Sequence, residues 1–307
     1  MKEENILQKS NPVLGTFFYG NYFYGICAVA LTVEATLQQR FPLNDPSYLL
    51  LIFFVTVLYY TYPYIRKSGP SNDPRTNWYT RNYNLMRWNQ VVITIIIAAS
   101  LIFFLKAHWQ LVWKMSLQQW FLLLIFPMVA AAYYGLESSL GKFNLRSIGW
   151  LKPFIIGFTW AGLVTIYPVL FYNVTHGQDY AFVLIGFLLF LKNLMFIAML
   201  CILFDIKDLD ADYLSRLRTF VVNVGLRKTL FFIVVPLTLI GLGTFIFYAR
   251  THDFSSMKLF LNTIPFILLI LTAWSLRKTR SLLYYLIIVD GLMLLKAICG
   301  TIAILYF

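Results

Sequence analysis

Charge, cysteine and histidine are all scarce in this chain. Only 12% of its 307 residues are Asp, Glu, Lys or Arg, whereas 60% are hydrophobic, and a soluble domain carries about twice that charge. The chain cannot cover itself with water-facing side chains, which excludes the ordinary soluble class. Cys27, Cys201 and Cys299 each fall in an apolar run and are odd in number, so neither a disulfide framework nor a zinc spacing exists. They are expected as small buried hydrophobes. His108, His176 and His252 are expected in loops on the face opposite the acidic stretch described below, which excludes a His-based catalytic pair there. Met1 to Ser10 carry mixed charge without a short apolar core and small-residue cleavage site, so no removable signal is expected. Asn173-Val174-Thr175 matches a glycosylation acceptor, but a motif that short beside an apolar run is expected by chance.

Long apolar runs are abundant. Nine of them, near 13–37, 47–65, 88–106, 115–135, 149–172, 180–204, 229–249, 259–275 and 283–306, have the roughly 17 to 25 residues that cross about 30 Å of hydrocarbon as helix. The expectation is an all-α, single-domain bundle of nine transmembrane helices spanning residues 1–307. With a cytoplasmic N-terminus, that side holds Lys2, Lys9, Arg66, Lys67, Arg75, Arg81, Arg87, Lys142, Arg146, Lys152, Lys207, Arg216, Arg218, Arg227, Lys228, Arg277, Lys278 and Arg280. The other side holds Arg40, Lys106, Lys114, Arg250 and Lys258. Eighteen against five is a strong positive-inside bias and predicts a multi-pass protein of the cell's inner membrane. The net charge of +12 then reports contact with anionic membrane lipids, not nucleic acid.

Within so apolar a chain, four of the thirteen acidic residues fall inside Asp205-Ile206-Lys207-Asp208-Leu209-Asp210-Ala211-Asp212. If the preceding helix continues, Asp205, Asp208 and Asp212 share one face at i, i+3 and i+7, while Lys207 and Asp210 point elsewhere. Carboxylates so arranged repel unless a cation lies between them, and hard oxygen ligands suit Mg²⁺ better than zinc or copper. The alternative is a solvated acidic helix end, although such faces usually interleave Lys with Glu.

A second polar segment follows the second run. Tyr59-Tyr60-Thr61-Tyr62-Pro63-Tyr64 is an aromatic belt in which Pro63 is expected to begin breaking the helix. Ser71-Asn72-Asp73-Pro74 is a helix start, with Asp73 at the N-cap and Pro74 in the first turn. From Asp73 the same spacing reaches Thr76 and Thr80, hydroxyls where carboxylates stand in the later stretch. Glu34, Lys192, Asp290 and Lys296 are ionisable groups inside apolar runs. Glu34 is placed near an interface, Lys192 has a functional and a structural reading, and Asp290 and Lys296, six residues apart, fall on different helix faces. Pro127, Pro168, Pro236 and Pro265 are candidate helix breaks.

The nine-run pattern with polar motifs after runs two and six resembles the UbiA superfamily of intramembrane prenyltransferases, whose signatures are NDxxDxxxD and DxxDxxxD. The second signature stands here as Asp205, Asp208 and Asp212. Arg218-Thr219-Phe220 and Val224-Gly225-Leu226-Arg227-Lys228-Thr229 look like the segment that trails it, and Lys142, Arg146 and Lys152 before Trp160 fit the basic loop between spans four and five. Of the first signature, Asn72 and Asp73 match, while Thr76 and Thr80 depart from it.

The resemblance implies Mg²⁺-dependent transfer of an isoprenyl chain from its diphosphate to a lipid-soluble acceptor. Asp73, Asp205, Asp208 and Asp212 would hold metal, the last three being the catalytic set, and Asn72, Arg75, Arg81, Lys142 and Arg146 would contact the diphosphate. Charge growing on the diphosphate as the allylic C–O bond breaks would be neutralised electrostatically. The allylic cation would be sheltered by rings from among 28 Phe, 20 Tyr and 8 Trp. Two other readings stand beside it: a catalytically lapsed relative that binds a lipid or isoprenoid, suggested by Thr76 and Thr80, and a secondary transporter using the intramembrane charges.

Overall fold

Helices lie within all nine apolar windows in the computed structural model, which describes residues 12–66, 73–134, 148–181, 183–214, 218–251, 254–278 and 280–307 and contains no strand among them. Helices α1 (Pro12–Tyr19) and α2 (Tyr22–Gln38) meet at a bend of 59°. Then come α3 (Pro46–Arg66), the short α4 (Pro74–Arg81), α5 (Tyr83–Trp113) and α6 (Leu117–Tyr134). The second half holds α7 (Lys152–Thr175), α8 (Leu184–Asp205), α9 (Leu209–Leu214), α10 (Phe220–Val224) and α11 (Leu226–Phe247, helical on to Thr251). It closes with α12 (Ser256–Ser275) and α13 (Leu282–Leu305). Seven of these are long and apolar enough to cross a membrane, and the α1–α2 pair makes an eighth if it counts as one span. The apolar stretch Leu117–Tyr133 is shorter.

Several boundaries depart from expectation for local reasons. Pro63 does not end α3, which continues to Arg66. Helix α5 runs well beyond 88–106 at both ends, so His108 lies within it and not in a loop; there φ −122° and ψ 20° interrupt the helical backbone. His176 does follow the end of α7, and His252 lies outside the described residues. Pro168 and Pro236 each follow a widened π turn, Gly162–Ile166 and Thr229–Val234. A proline ring clashes with the carbonyl four residues earlier, and the π turn is where that carbonyl is released without ending the helix. Asn173 is buried in the last turns of α7, so its glycosylation motif is not presented to an enzyme.

The chain divides into two compact units, residues 1–30 with 44–114 and residues 31–43 with 115–307. The first is centred on Asn21, at the α1–α2 bend, in a left-handed conformation (φ 66°) that Asn tolerates better than most residues. Its amide donates to Thr61 Oγ1 at 3.2 Å and Tyr79 Oη at 3.0 Å, and its Oδ1 accepts from Arg75 Nη2. In the second unit α7 packs closely on α8. A Cβ at Gly157 would lie 2.6 Å from the Leu194 carbonyl and 3.3 Å from Ala198 N, so only glycine permits this approach. Phe126 lies against Gly162 in the same way, its ring 2.1 Å from where a Cβ would stand.

Candidate functional site

The antiparallel register fixed at Gly157 carries the first residue of α7, Lys152, to the last residue of α8, Asp205. Lys152 Nζ donates to Asp205 Oδ1. Asp205 is 1% exposed and the Lys152 side chain 18%, so the carboxylate is sealed while the lysine stays partly exposed. Asp205 Oδ2 has no hydrogen-bond partner among the described residues. A buried carboxyl oxygen without a partner is expensive, and a proton or a cation would complete it. The backbone before Lys152 is held by another close approach: a Cβ at Gly149 would stand 2.5 Å from the Arg218 carbonyl carbon and 2.7 Å from Thr219 N.

The continuous helix expected through Asp205, Asp208 and Asp212 does not form. Helix α8 ends at Asp205, and Ile206, Lys207 and Asp208 donate to Leu203, Phe204 and Asp205 carbonyls at 3.3, 3.1 and 3.2 Å. Such i to i−3 bonds give about three residues per turn, which eclipses residues i and i+3. Asp208 therefore still follows Asp205 on one side, with its side chain 38% exposed and Oδ1 2.8 Å from Lys207 Nζ. Asp212 belongs to the separate helix α9, and its side chain, like that of Asp210, lies outside the described residues. Lys142 and Arg146 also lie outside them.

In the first unit, Asp73 is the N-cap of α4 with Pro74 behind it. Its Oδ2 accepts from Thr76 N at 3.0 Å and Thr76 Oγ1 at 2.8 Å. Thr76 is buried, whereas Thr80 is exposed and turns its hydroxyl to the Thr76 carbonyl at 3.0 Å. Arg75 points into the unit: Nη2 donates to Asn21, Nε to the Tyr19 carbonyl at 3.3 Å, and its guanidinium carbon lies 4.7 Å from the Tyr64 ring centroid. Tyr79 stacks on Tyr64 at 4.9 Å, and burial pushes its phenol up to about 12 against the opposing pull of Arg75. Arg81 is exposed, and Asn72 lies outside the described residues.

Magnesium is commonly held by one or two carboxylates together with water and substrate phosphate. The free Oδ2 of Asp205 and the half-open Asp208 fit that description as hard oxygen donors. Among the described residues no cluster of three or more His, Cys, Asp or Glu side chains forms a cage for a metal by itself.

A second buried polar group was only partly foreseen. Glu34 on α2 accepts from Lys296 Nζ of α13 at 2.6 Å, and Lys192 Nζ of α8 lies 3.7 Å from its other oxygen. The sequence marked all three residues as intramembrane charges; the signal for pairing was that a buried Glu beside apolar spans requires a cation from another helix.

No family model, curated protein or solved structure matches the chain. The fold defines the class directly: a multi-pass helical membrane protein.

Proposed function

We propose that this chain is a UbiA-like intramembrane prenyltransferase of nine spans, with its N-terminus and Asp205 end on the cytoplasmic side of the inner membrane. It moves an isoprenyl chain from its diphosphate to a lipid-soluble acceptor. The observation that carries the reading is the sealed Asp205 carboxylate, with one oxygen on Lys152 and the other without a donor, and Asp208 one eclipsed turn beyond. Asp205, Asp208 and Asp212 would hold Mg²⁺, which when bound neutralises charge on a diphosphate leaving group. Lys152 fixes the Asp205 rotamer and keeps one carboxylate oxygen turned away from itself. Its own ammonium, on a side chain that stays partly exposed, supplies a positive charge to an incoming phosphate. The allylic C–O bond breaks with both electrons leaving on the diphosphate; the acceptor then forms the new bond and releases a proton.

Mg²⁺-dependent release of diphosphate from isoprenyl diphosphates by the purified protein tests this. Loss of release in Asp205→Ala and Asp208→Ala is expected, and release that both variants retain overturns the assignment. A second reading, a lapsed relative that binds the donor without cleaving it, is favoured by one specific observation. The Asp73 carboxylate caps its own helix, and threonines stand at positions 76 and 80. Donor binding without diphosphate release by the native chain selects that reading.

A further inference from the structure

Lys192 and Asp205 lie on the same helix thirteen residues apart, about 20 Å along its axis, so the charges around Lys192 form a separate site. Glu34 is four residues before the end of α2, Asn262 six residues into α12, Lys192 eight residues into α8, and Lys296 nine residues before the end of α13. By the rise of a helix these are depths of about 6 to 14 Å from one common end of the second unit. Glu34 and Lys296 are 1% and 3% exposed and make the tight pair at 2.6 Å. Gln38 Nε2 donates to the other Glu34 oxygen at 2.8 Å. Glu34 is thereby provided for without Lys192.

Lys192 is left with weak partners. Among the described residues its ammonium, with three hydrogens to donate, meets only Asn262 Oδ1 at 3.4 Å, Glu34 Oε1 at 3.7 Å and the Phe245 ring at 5.5 Å. Two lysines face one carboxylate, so the cluster carries an excess positive charge in a medium that does not solvate it. The Lys192 side chain keeps 15% exposure, so it is not sealed as Glu34 and Lys296 are. Lys258 sits one turn before Asn262 on α12, its ammonium 4.6 Å from the Phe254 ring centroid and repelled by Arg40, so further positive charge lies at that end of the helices.

We propose that Lys192, together with Asn262 and the Glu34–Lys296 pair, forms a binding site for one small anionic group, a carboxylate or phosphate oxyanion, entering from that end of the helices. The anion completes the coordination of the Lys192 ammonium and brings the cluster to neutrality. The proposal is independent of the chemistry assigned to Asp205.

Asn262→Asp tests it by building the anion into the protein, because the new carboxylate replaces the very oxygen already nearest the ammonium. The purified protein is unfolded in a zwitterionic buffer without added salt, with acetate, with inorganic phosphate, and in phosphatidylcholine nanodiscs with or without phosphatidic acid. The native chain is expected to gain stability with an anion. N262D should start more stable and respond at least tenfold more weakly, the loss of a charge-assisted contact. Lys192→Met, which also removes the excess charge, should unfold later than the native chain in the anion-free buffer and show no response. Stabilisation by acetate or phosphate identifies a free solute as the source, and stabilisation only with phosphatidic acid identifies a lipid headgroup. An indifferent native chain, or an N262D variant destabilised by its added buried carboxylate, overturns the site.

Discussion

Replacing Lys152 by Met leaves the Asp205 carboxylate, 1% exposed, without its ammonium. Removing one member of a buried ion pair typically costs about 3 to 5 kcal/mol, because the remaining charge is neither solvated nor paired. The reverse change, Asp205→Asn, should cost less, about 1 to 3 kcal/mol. Its amide oxygen still accepts from Lys152, and that side chain, 18% exposed, turns to water more readily than Asp205 can. In the double change Lys152→Met with Asp205→Leu the charges disappear together, and the loss should fall well below the sum of the single changes. The measurement is equilibrium unfolding in mixed micelles of increasing SDS content, followed by tryptophan fluorescence, to which the buried Trp160 on α7 contributes. The reasoning fails if K152M costs under about 1 kcal/mol, if D205N is the worse single change, or if the effects simply add.

Three more outcomes follow from particular surroundings. Gly157→Ala puts a methyl 2.6 Å from the Leu194 carbonyl, so α7 and α8 must separate, at about 1 to 3 kcal/mol; Gly243→Ala in α11 meets nothing within 4 Å and should stabilise by about 0.5 to 1 kcal/mol in the same unfolding assay. Tyr79, whose phenol is pushed up to about 12, is favoured in its neutral form by folding. Its contribution is therefore intact below pH about 10, the unfolded value, and fades as pH rises toward about 12. Stability of the native chain should fall across that window, and Tyr79→Phe should flatten the fall; an unchanged slope counts against the buried phenol.

Helix was legible wherever apolar length alone decides it, and the Asp73 N-cap was legible because capping is written in four adjacent residues. What tertiary contacts decide was not. The acidic stripe was drawn as continuous helix, whereas α8 tightens and ends at Asp205 as Lys152 engages it from α7. Lys152 was visible as one basic loop residue among three, with nothing local to distinguish it. Asn21 carried no signal, since its left-handed backbone and three side-chain bonds involve residues 40 to 58 positions away. The pairing of Glu34 with Lys296 spans 262 positions, and an almost uniformly apolar helix does not declare which face meets which neighbour. Spacing did separate Asp290 from Lys296, whose partner is on another helix.

The two ends of α8 pose complementary electrostatic problems. At its last residue a buried carboxylate keeps an oxygen without a donor among the described residues; eight residues from its start a partly exposed ammonium meets only long contacts among them. They cannot solve each other. At about 20 Å and an effective dielectric near 20, their attraction is under about 1 kcal/mol, against about 4 for charges 4 Å apart. Each is answered only by groups near it, and Asp205 already has the Lys152 ammonium on one oxygen. The cation proposed at Asp205 and the anion proposed at Lys192 are therefore separable, and Asp205→Asn should leave the anion response of the Lys192 cluster unchanged. A coupled loss of both would mean that α8 transmits the change through its packing, and the local electrostatic account would have to give way to a structural one.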